Sequence, residues 1–252
     1  FKIKNLSSSE DTIIMVDLLK KYKKSKIINC NHAGTTLRFL TAYLSTINGE
    51  WIIEGSKRMH QRPIGPLVNC LNELGGKIKY LNQKNHPPLK ISGRLIKGGD
   101  IEIRGDISSQ YISALLMIAP TLEKGLKIFI NSKILSKPYI SMTLTLMEQM
   151  GIEYQWNENT ITIKPQNYFC KDYIVENDWS SASFWYSFAA LSTNAEIEIP
   201  LLLKNSIQGD AQLHKIYKKL GVCTKFFKNK IILKKCRLLK RSIHLNLNNY
   251  PD

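Results

Sequence analysis

The amino-acid sequence predicts an α/β fold built from repeated βαβαββ units with pseudo-threefold symmetry. Three observations support this prediction. A short polar signature of small residues opens an apolar, helix-like segment three times along the 252 residues. Each of these segments is followed by a β-rich segment and then by a second helix that ends at a glycine. Helices and strands that alternate in this order cover the faces of a shared sheet, and their recurrence indicates an internal repeat.

Each unit begins with the polar signature and the first helix. The apolar stretches predict helices over residues 37–44, 111–118 and 184–191. A Ser or Thr at a helix start predicts an N-cap, whose hydroxyl accepts from the free N–H groups of the first turn. We expect Ser180 and Ser181 to do no more than this. The three signatures are Ala33-Gly34-Thr35-Thr36, Ser108-Ser109-Gln110 and Ser180-Ser181-Ala182-Ser183.

The remaining elements of each unit also recur in order. The β-rich segments cover residues 51–54, 126–130 and 195–199. A glycine follows the second helix and predicts a left-handed residue just past the helix end. The helix ends are Leu74-Gly75, Met150-Gly151 and Leu220-Gly221, and the closing strands are predicted over residues 77–81, 152–155 and 222–227.

The repeats also suggest how the chain is divided. We expect a threefold-repeat domain over residues 1–206 that lacks its first strand. Residues 207–252 are expected to be the incomplete start of a second, similar domain. Because the chain opens on Phe1 rather than Met and stops just after Tyr250-Pro251, we expect it to be part of a longer protein.

The charge balance raises the question of nucleic acid. There are 36 Lys and Arg residues against 20 Asp and Glu residues, a formal net charge of +16, and basic chains can bind phosphate backbones. The excess is mostly lysine, which is typical of an A+T-rich coding sequence. The densest cluster, residues 225–241, is interleaved with apolar residues and predicts a solvated strand face. We therefore expect no nucleic-acid partner.

We also expect no membrane partner, because the longest apolar run, residues 111–120, is far shorter than the ~20 residues of a membrane span.

Cysteine and histidine usage indicates the cytoplasm and no metal. The five cysteines are odd in number, widely separated and never spaced as C-x-x-C, which is typical of reducing compartments. Cys70 and Cys223 stand in apolar surroundings and are expected to be buried thiols. The five histidines form no ligand-like pair, so we expect neither a metal site nor a cofactor.

Several side chains are suited to binding an anion. Free N–H groups at a helix N-terminus attract negative charge, and Ser108-Ser109-Gln110 offers more donors than a cap requires. Ser136-Lys137-Pro138-Tyr139 adds donors suited to a phosphate and to hydroxyls. Arg38 and Arg62 belong to a small set of seven arginines, and the planar guanidinium grips phosphate or carboxylate with two bonds. A surface ion pair is the alternative for each arginine taken singly.

Six motifs occur in an order that resembles the 5-enolpyruvylshikimate-3-phosphate synthase family, and the resemblance runs from Asn5 to Asp252. The sister enzymes that act on UDP-N-acetylglucosamine share the fold but lack the Ser-Ser-Gln and Ser-Lys-Pro-Tyr motifs. The six are Ala33-Gly34-Thr35-Thr36-Leu37-Arg38, Arg58-Met59-His60-Gln61-Arg62-Pro63-Ile64, Pro87-Pro88-Leu89, Ile107-Ser108-Ser109-Gln110, Ser136-Lys137-Pro138-Tyr139 and Gln208-Gly209-Asp210.

The resemblance implies a fold and a reaction. The implied fold is an inside-out α/β barrel of the enolpyruvyl transferase kind, in two domains. The implied reaction transfers the enolpyruvyl group of phosphoenolpyruvate to the 5-hydroxyl of shikimate 3-phosphate and releases phosphate. This step belongs to the shikimate pathway, which leads to chorismate and the aromatic amino acids. No metal or organic cofactor is implied, and a cytoplasmic monomer is the default expectation.

The resemblance also implies site residues, each carried over by position. Asp252 matches the aspartate that takes the proton from the attacking hydroxyl. The other expected contacts are Gly34, Arg62 and Gln110 for phosphoenolpyruvate; Thr35, Ser108, Ser109, Gln110, Ser136, Tyr139 and Asp252 for shikimate 3-phosphate; and Asp11, Arg38 and Asp210 as charged residues that line the cleft.

Some residues depart from the family pattern. His32 and Thr36 replace residues that are usual beside the glycine-threonine turn. The early Gly-Ser-Lys-Ser motif is expected before Phe1, and the proton-donating glutamate with further arginines is expected after Asp252. We therefore expect the isolated chain to be inactive. The alternative from another class is a non-catalytic module that binds a phosphate ligand or nucleic acid on the same scaffold.

Overall fold

The computed structural model describes residues 1–237 and residue 244. Contacts between Cα atoms divide the chain into two compact units. The larger unit contains residues 6–135 and 143–171, and the smaller unit contains residues 1–5, 136–142 and the described residues from 172 onward. The described part combines helices with mixed sheets, which confirms the predicted α/β class. The chain opens with strand β1 (Ile3–Lys4) and helix α1 (Glu10–Lys21).

The first four-stranded sheet of the larger unit has the strand order β2-β3-β5-β4. Strands β2 and β3 are parallel and are connected through α2, whereas β5 is antiparallel to both of its neighbours. Helix α3 connects β3 to β4. These elements are β2 (Ile27–Asn29), α2 (Gly34–Ser45), β3 (Gly49–Glu54), α3 (Gly65–Glu73), β4 (Ile78–Tyr80) and β5 (Leu89–Gly93).

The second four-stranded sheet repeats this arrangement. Its order is β6-β7-β9-β8, with β6 parallel to β7 and β9 antiparallel to both of its neighbours. The chain therefore contains two βαβαββ units of the same strand order and direction. The elements are β6 (Gly99–Ile103), α4 (Ser109–Ile118), β7 (Leu126–Ile130), α5 (Lys137–Gln149), β8 (Gln155–Asn157) and β9 (Thr160–Ile163).

The sheet of the smaller unit has three strands in the order β11-β13-β12, all antiparallel. The elements again follow one another as strand, helix, strand, helix and two strands, as in the two four-stranded sheets. The first of them, β10, pairs in parallel with β1 instead of joining this sheet. The elements are β10 (Tyr173–Ile174), α6 (Trp179–Leu191), β11 (Glu196–Pro200), α7 (Leu213–Lys219), β12 (Val222–Phe226) and β13 (Lys230–Lys235).

The division predicted at residue 206 stays a prediction. Within the smaller unit, β11 and β13 pair from Glu196↔Lys234 to Pro200↔Lys230. That ladder joins residues on both sides of position 206 in one sheet.

The core of the larger unit lies between its sheets and helices. Along β7, Leu126, Ile128 and Ile130 are buried, while Phe129 between them is exposed, as expected for a strand with one covered face. Helices α2 and α4 pack against each other, and seven of the ten residues of α4 are buried. Because these two helices are enclosed together, the residues at their N-terminal ends are held in fixed positions.

The predicted glycines after the second helices are confirmed. Gly75, Gly151 and Gly221 have φ angles of +104°, +84° and +81°, the left-handed region that favours glycine. The closing strands over residues 77–81 and 222–227 are also confirmed, as β4 and β12. The third, predicted over residues 152–155, begins only at Gln155. The reason is that the N–H of Ile152 donates to the carbonyl of Met147 (3.0 Å) and so completes the end of α5.

The helix caps agree only partly with the prediction. Ser108 caps α4, and its hydroxyl accepts from the N–H of Gln110 at 3.4 Å. The prediction for Ser180 and Ser181 is wrong, because the cap of α6 is the carboxylate of Asp178. That carboxylate accepts from the N–H of Ser180 (2.9 Å) and from the hydroxyl of Ser181 (2.6 Å). A carboxylate satisfies the first turn and also complements the helix dipole.

The lysine-rich cluster forms a solvated strand face, as predicted, over its described residues 225–237. Lys230 and Lys234 of β13 pair with Glu198 and Glu196 of β11 at 2.7 and 2.9 Å. Exposed pairs of this kind neutralise charge across strands and contribute little stability. Residues 238–241 of the cluster lie outside the described residues.

Within the described residues, no helix is both long enough and apolar enough to span a membrane.

The cysteines include one disulfide. Cys223 and Cys236 are joined, with their Cα atoms 5.9 Å apart. The prediction of a free thiol at Cys223 is therefore wrong, because hairpin pairing of β12 and β13 brings these two residues, thirteen positions apart, to the same end of the sheet. Cys70 is a buried free thiol, as predicted, and Cys30 is another, whereas the free thiol of Cys170 is exposed.

Thiol labelling should therefore distinguish Cys170 from Cys30 and Cys70. Burial raises the pKa of Cys30 to about 12 and that of Cys70 to about 11. Since the thiolate is the reactive form, only about one Cys70 side chain in a thousand is ionised and able to react at pH 8. We expect the folded chain to titrate one fast thiol with a disulfide reagent and two more only after denaturation. Cys170→Ser should abolish the fast phase, and a second fast thiol in the native protein would contradict this assignment.

Candidate functional site

A hydrogen bond connects the N-terminal ends of α2 and α4 in the larger unit. The amide Nε2 of Gln110 donates to the hydroxyl Oγ1 of Thr35 at 2.9 Å, across 75 residues of sequence. The cap of α2 is Ala33, which has no side-chain acceptor, so the Thr35 hydroxyl is used between helices and not as a cap. The structure thus brings together two of the residues that the sequence predicted for the site.

Two arginines converge on Gly34, the first residue of α2. A Cβ atom at position 34 would lie 2.7 Å from Nη1 of Arg38 and 2.8 Å from Cζ of Arg62, and closer still to Nη1 of Arg62. Any side chain there would have to displace both guanidinium groups. The Nη1 of Arg38 also donates to the carbonyl of Gly34 at 2.9 Å. Glycine is therefore required at this position for the arginines to approach the helix end.

Arg38 is a buried cation with incomplete hydrogen bonding. It is 4 % exposed, and its guanidinium carbon lies 5.4 Å from the ring centroid of Tyr111, a cation–π contact. Its buried Nε has no hydrogen-bond partner among the described residues. Neither Arg38 nor Arg62 has a carboxylate within 4.0 Å in the described part of the chain. The surface ion pair considered for each arginine is therefore not found, and an anion is the group that would complete this arrangement.

The electrostatics at Arg62 support the same interpretation. The pKa of the Arg62 guanidinium is lowered, first by partial burial and then by the positive charges of Arg38 and Arg58. Tyr111 and Asp11 act in the opposite direction but do not cancel the shift. The carboxylate of Asp11 acts on Arg62 through its charge, without contact. The backbone carbonyl of Asp11 accepts a hydrogen bond from the hydroxyl of Thr36 at 3.5 Å. A bound anion would relieve the repulsion between the arginines.

The backbone around Arg62 is fixed by its neighbours. A short 3₁₀ turn (Met59–Gln61) precedes it, and the N–H of Arg62 donates to the carbonyl of Met59 at 3.0 Å. The hydroxyl of Tyr111 donates to the carbonyl of Pro63 at 2.5 Å. Tyr111 therefore holds the chain next to Arg62 and also stacks on Arg38. Tyr111 is not among the site residues predicted from the sequence, because an aromatic residue inside an apolar helix has the pattern of ordinary core.

A second group of predicted site residues lies in the smaller unit. Ser136 has a left-handed backbone (φ +54°), and its carbonyl accepts from the N–H of Tyr139 at 3.0 Å at the start of α5. Asp210 is buried, at 5 % exposure. A cavity of about 240 Å³ in this unit is lined by Tyr139, Met142, Asp178, Ser180, Gln208, Gly209 and Asp210.

Asp178 and Gln208 also line this cavity, although neither is among the site residues predicted from the sequence. An aspartate just before an apolar run is a recognised N-cap signal, so Asp178 was detectable. Gln208 belongs to the Gln208-Gly209-Asp210 motif, in which only Asp210 was assigned a role. Asp252 lies outside the described residues. Among the described residues, no group of three or more His, Cys, Asp or Glu side chains is placed to hold a metal ion.

The α/β fold, with two arginines at the N-terminal end of a buried helix, is typical of proteins that bind small anionic ligands. The sequence model of EPSP synthase (3-phosphoshikimate 1-carboxyvinyltransferase) matches residues 1–252. The chain belongs to the EPSP synthase family.

Individual relatives agree with this assignment. The 3-phosphoshikimate 1-carboxyvinyltransferase of Bacteroides fragilis is 46% identical over 232 residues, which are 92% of this chain and 56% of that protein. The enzyme of the same name from Pseudoalteromonas translucida is 41% identical over 224 residues, 88% of this chain and 52% of the relative. The chain thus spans about half the length of the curated relatives it matches. The EPSP synthase of Acinetobacter baumannii superposes with a TM-score of 0.74 at 17% identity over 99% of this chain and 62% of that one, which shows a common fold.

Proposed function

We propose that the protein containing this chain transfers the enolpyruvyl group of phosphoenolpyruvate to the 5-hydroxyl of shikimate 3-phosphate and releases phosphate. The observation that carries the proposal is the pair of arginines at Gly34, which lack a described carboxylate partner. Both substrates are phosphorylated carboxylates, the groups that a planar guanidinium binds best. The relatives named 3-phosphoshikimate 1-carboxyvinyltransferase support the choice of reaction.

The proposal assigns a role to each predicted site residue. Arg62 and Gln110 contact phosphoenolpyruvate, and the missing side chain of Gly34 lets that ligand approach the first N–H groups of α2. Arg38 and Asp11 line the same region, and the guanidinium groups of Arg38 and Arg62 present two positive charges to the ligand at Gly34. Residues proposed to contact shikimate 3-phosphate are Thr35, Ser108, Ser109, Gln110, Ser136, Tyr139 and Asp252, with Asp210 lining the cleft.

The proposed chemistry is an addition followed by an elimination. The 5-hydroxyl adds to the central carbon of phosphoenolpyruvate and the methylene carbon gains a proton, which turns it into a methyl group. The resulting tetrahedral intermediate then loses phosphate from the central carbon and a proton from the methyl group, which restores the carbon–carbon double bond. Asp252 is proposed to take the proton of the hydroxyl, as a carboxylate in hydrogen-bond reach can do. Arginines held in place before the reaction stabilise the charge of the departing phosphate without further reorganisation. We propose no cofactor for this reaction.

The finer features of the fold and setting belong to the same proposal. We propose an inside-out α/β barrel of βαβαββ repeats with pseudo-threefold symmetry, supported by the common strand order of the two four-stranded sheets. We propose a cytoplasmic monomer that acts on small molecules and binds neither nucleic acid nor membranes. We also propose the division into a threefold-repeat domain over residues 1–206 and the incomplete start of a second, similar domain over residues 207–252.

A phosphate-release assay tests the proposed function on the protein as encoded in full. Release from phosphoenolpyruvate should occur only when shikimate 3-phosphate is present, and UDP-N-acetylglucosamine should not replace it. The isolated 252-residue chain should show no turnover, although it should retain weak affinity for shikimate 3-phosphate. Binding of both substrates without any phosphate release by the full protein would instead support the non-catalytic binding module. Turnover by the isolated chain would refute the expectation that residues beyond it are required.

A further inference from the structure

We infer that Ser180 is a positioning residue: its hydroxyl holds the carboxylate of Asp210 in one orientation at the wall of the smaller unit's cavity. This inference rests on the proposed function, in which Asp210 lines the substrate cleft. The family resemblance assigned Ser180 no role, and the sequence predicted for it only a helix cap.

The contact itself is short and buried. Ser180 Oγ donates to Oδ2 of Asp210 at 2.5 Å, and Asp210 is 5 % exposed. An O–H···O⁻ bond of this length is charge-assisted and stronger than a neutral one. Because it engages one carboxylate oxygen from a fixed direction, it restricts rotation of the carboxylate about its terminal torsion angle.

The N-cap of α6 fixes the position of the donor, Ser180. The carboxylate of Asp178 accepts from the N–H of Ser180 at 2.9 Å, which fixes the backbone of Ser180 in the first helical turn. Ser180 can therefore present its hydroxyl without the entropic cost of ordering a mobile segment at each encounter with a ligand.

Gln208, two residues before Asp210, fixes the segment that carries the acceptor carboxylate. The side-chain Oε1 of Gln208 accepts from the N–H of Trp179 at 2.9 Å, and its Nε2 donates to the carbonyl of Asn177 at 2.9 Å. Both bonds attach the segment that carries Asp210 to the start of α6. The hydrogen bond between Ser180 and Asp210 thus joins two pieces of backbone that are already tied together.

The position of this bond connects it with the substrate. Ser180, Gln208 and Asp210 line the same cavity as Tyr139, a proposed contact of shikimate 3-phosphate. The orientation of the Asp210 carboxylate matters to a ligand in this cavity, because a displacement of about 1 Å at a reacting site can cost about a hundredfold in rate.

Two neighbouring serines provide a matched pair of variants. Ser180→Ala and Ser181→Ala each remove one hydroxyl bond to a carboxylate in the same helical turn, but only Ser180 touches Asp210. We expect Ser180→Ala to lower kcat/KM for shikimate 3-phosphate by about tenfold or more. Ser181→Ala should change it by less than about twofold, and Ser180→Thr should restore most of the loss. The melting temperatures of the two alanine variants should fall by similar amounts.

The comparison separates this inference from the proposed function. Equal kinetics for Ser180→Ala and Ser181→Ala would show a purely structural role and overturn the inference. If Asp210→Asn is impaired while Ser180→Ala is not, the inference fails and the proposed function stands. If the unmodified protein releases no phosphate in the presence of shikimate 3-phosphate, the proposed function fails, and the inference fails with it.

Discussion

Replacing Arg62 by alanine is expected to lower kcat/KM for phosphoenolpyruvate by about two to three orders of magnitude. Arg62 is the more exposed of the two arginines at Gly34 and has no described carboxylate partner, so its guanidinium is available to a ligand. Loss of one partner from a charge-assisted contact of this kind costs about 2–5 kcal/mol, equivalent to roughly 30-fold to 4,000-fold in rate. Steady-state kinetics of the protein as encoded in full, with phosphoenolpyruvate varied at saturating shikimate 3-phosphate, measures the effect.

Two further variants show whether charge or geometry is responsible. Arg62→Lys keeps the positive charge but loses the planar fork, so it should recover only part of the activity. Lys57→Ala removes one positive charge from an exposed side chain of the same segment and should change kcat/KM by less than about threefold. An Arg62→Ala variant with unchanged kcat/KM for phosphoenolpyruvate would remove Arg62 from the proposed site.

Replacing Gly34 by alanine is expected to raise KM for phosphoenolpyruvate by about tenfold to a hundredfold. The added Cβ would meet Nη1 of Arg38 and the guanidinium of Arg62. Both groups end flexible side chains, so they would move away from the helix end and out of the geometry that the anion requires. The methyl group would also occupy the space through which the ligand approaches the first N–H groups of α2.

Stability measurements separate this effect from misfolding. The φ angle of Gly34 is not in the left-handed region, and alanine favours a helix over glycine by about 1 kcal/mol. Gly34→Ala should therefore unfold at a temperature no lower than the unmodified protein. Unchanged KM in a normally stable variant would show that the arginines are not held as described. A large loss of stability would show that the clash falls on the backbone instead.

Local features of the fold were predictable from the sequence. Gly75, Gly151 and Gly221 follow helices that end in Leu, Met and Leu, and left-handed glycine depends only on the residues next to it. Ser108 was identified as a cap for the same reason. Prediction failed where several local acceptors compete, because Asp178 rather than Ser180 caps α6. The length of a helix end also depends on hydrogen bonds such as Ile152 to Met147, which periodicity does not show.

Features that depend on distant residues were not predictable from patterns alone. The disulfide partner of Cys223 follows from the pairing of β12 with β13. The presence of residues 196–200 and 230–234 in one sheet follows from the pairing of β11 with β13. In the candidate site, the residue types of Gly34, Arg38 and Arg62 indicated an anion, but their convergence required the packed structure. The stacking of Tyr111 on Arg38 carries no sequence signal at all.

The hydrogen bond from Gln110 to Thr35, across 75 residues, has a consequence for synthesis on the ribosome. At about 5–20 residues per second, Thr35 leaves the ribosome about 4 to 15 seconds before Gln110 does, and Arg62 leaves it about 2 to 10 seconds before Gln110. During that interval the nascent chain carries Arg38 and Arg62 without Tyr111 or Gln110 to order them. A translation product arrested before α4 emerges should not retain phosphoenolpyruvate, whereas one arrested after the second sheet is complete has every described element of the arginine site. The proposed anion site is thus completed late, when the second repeat has been made.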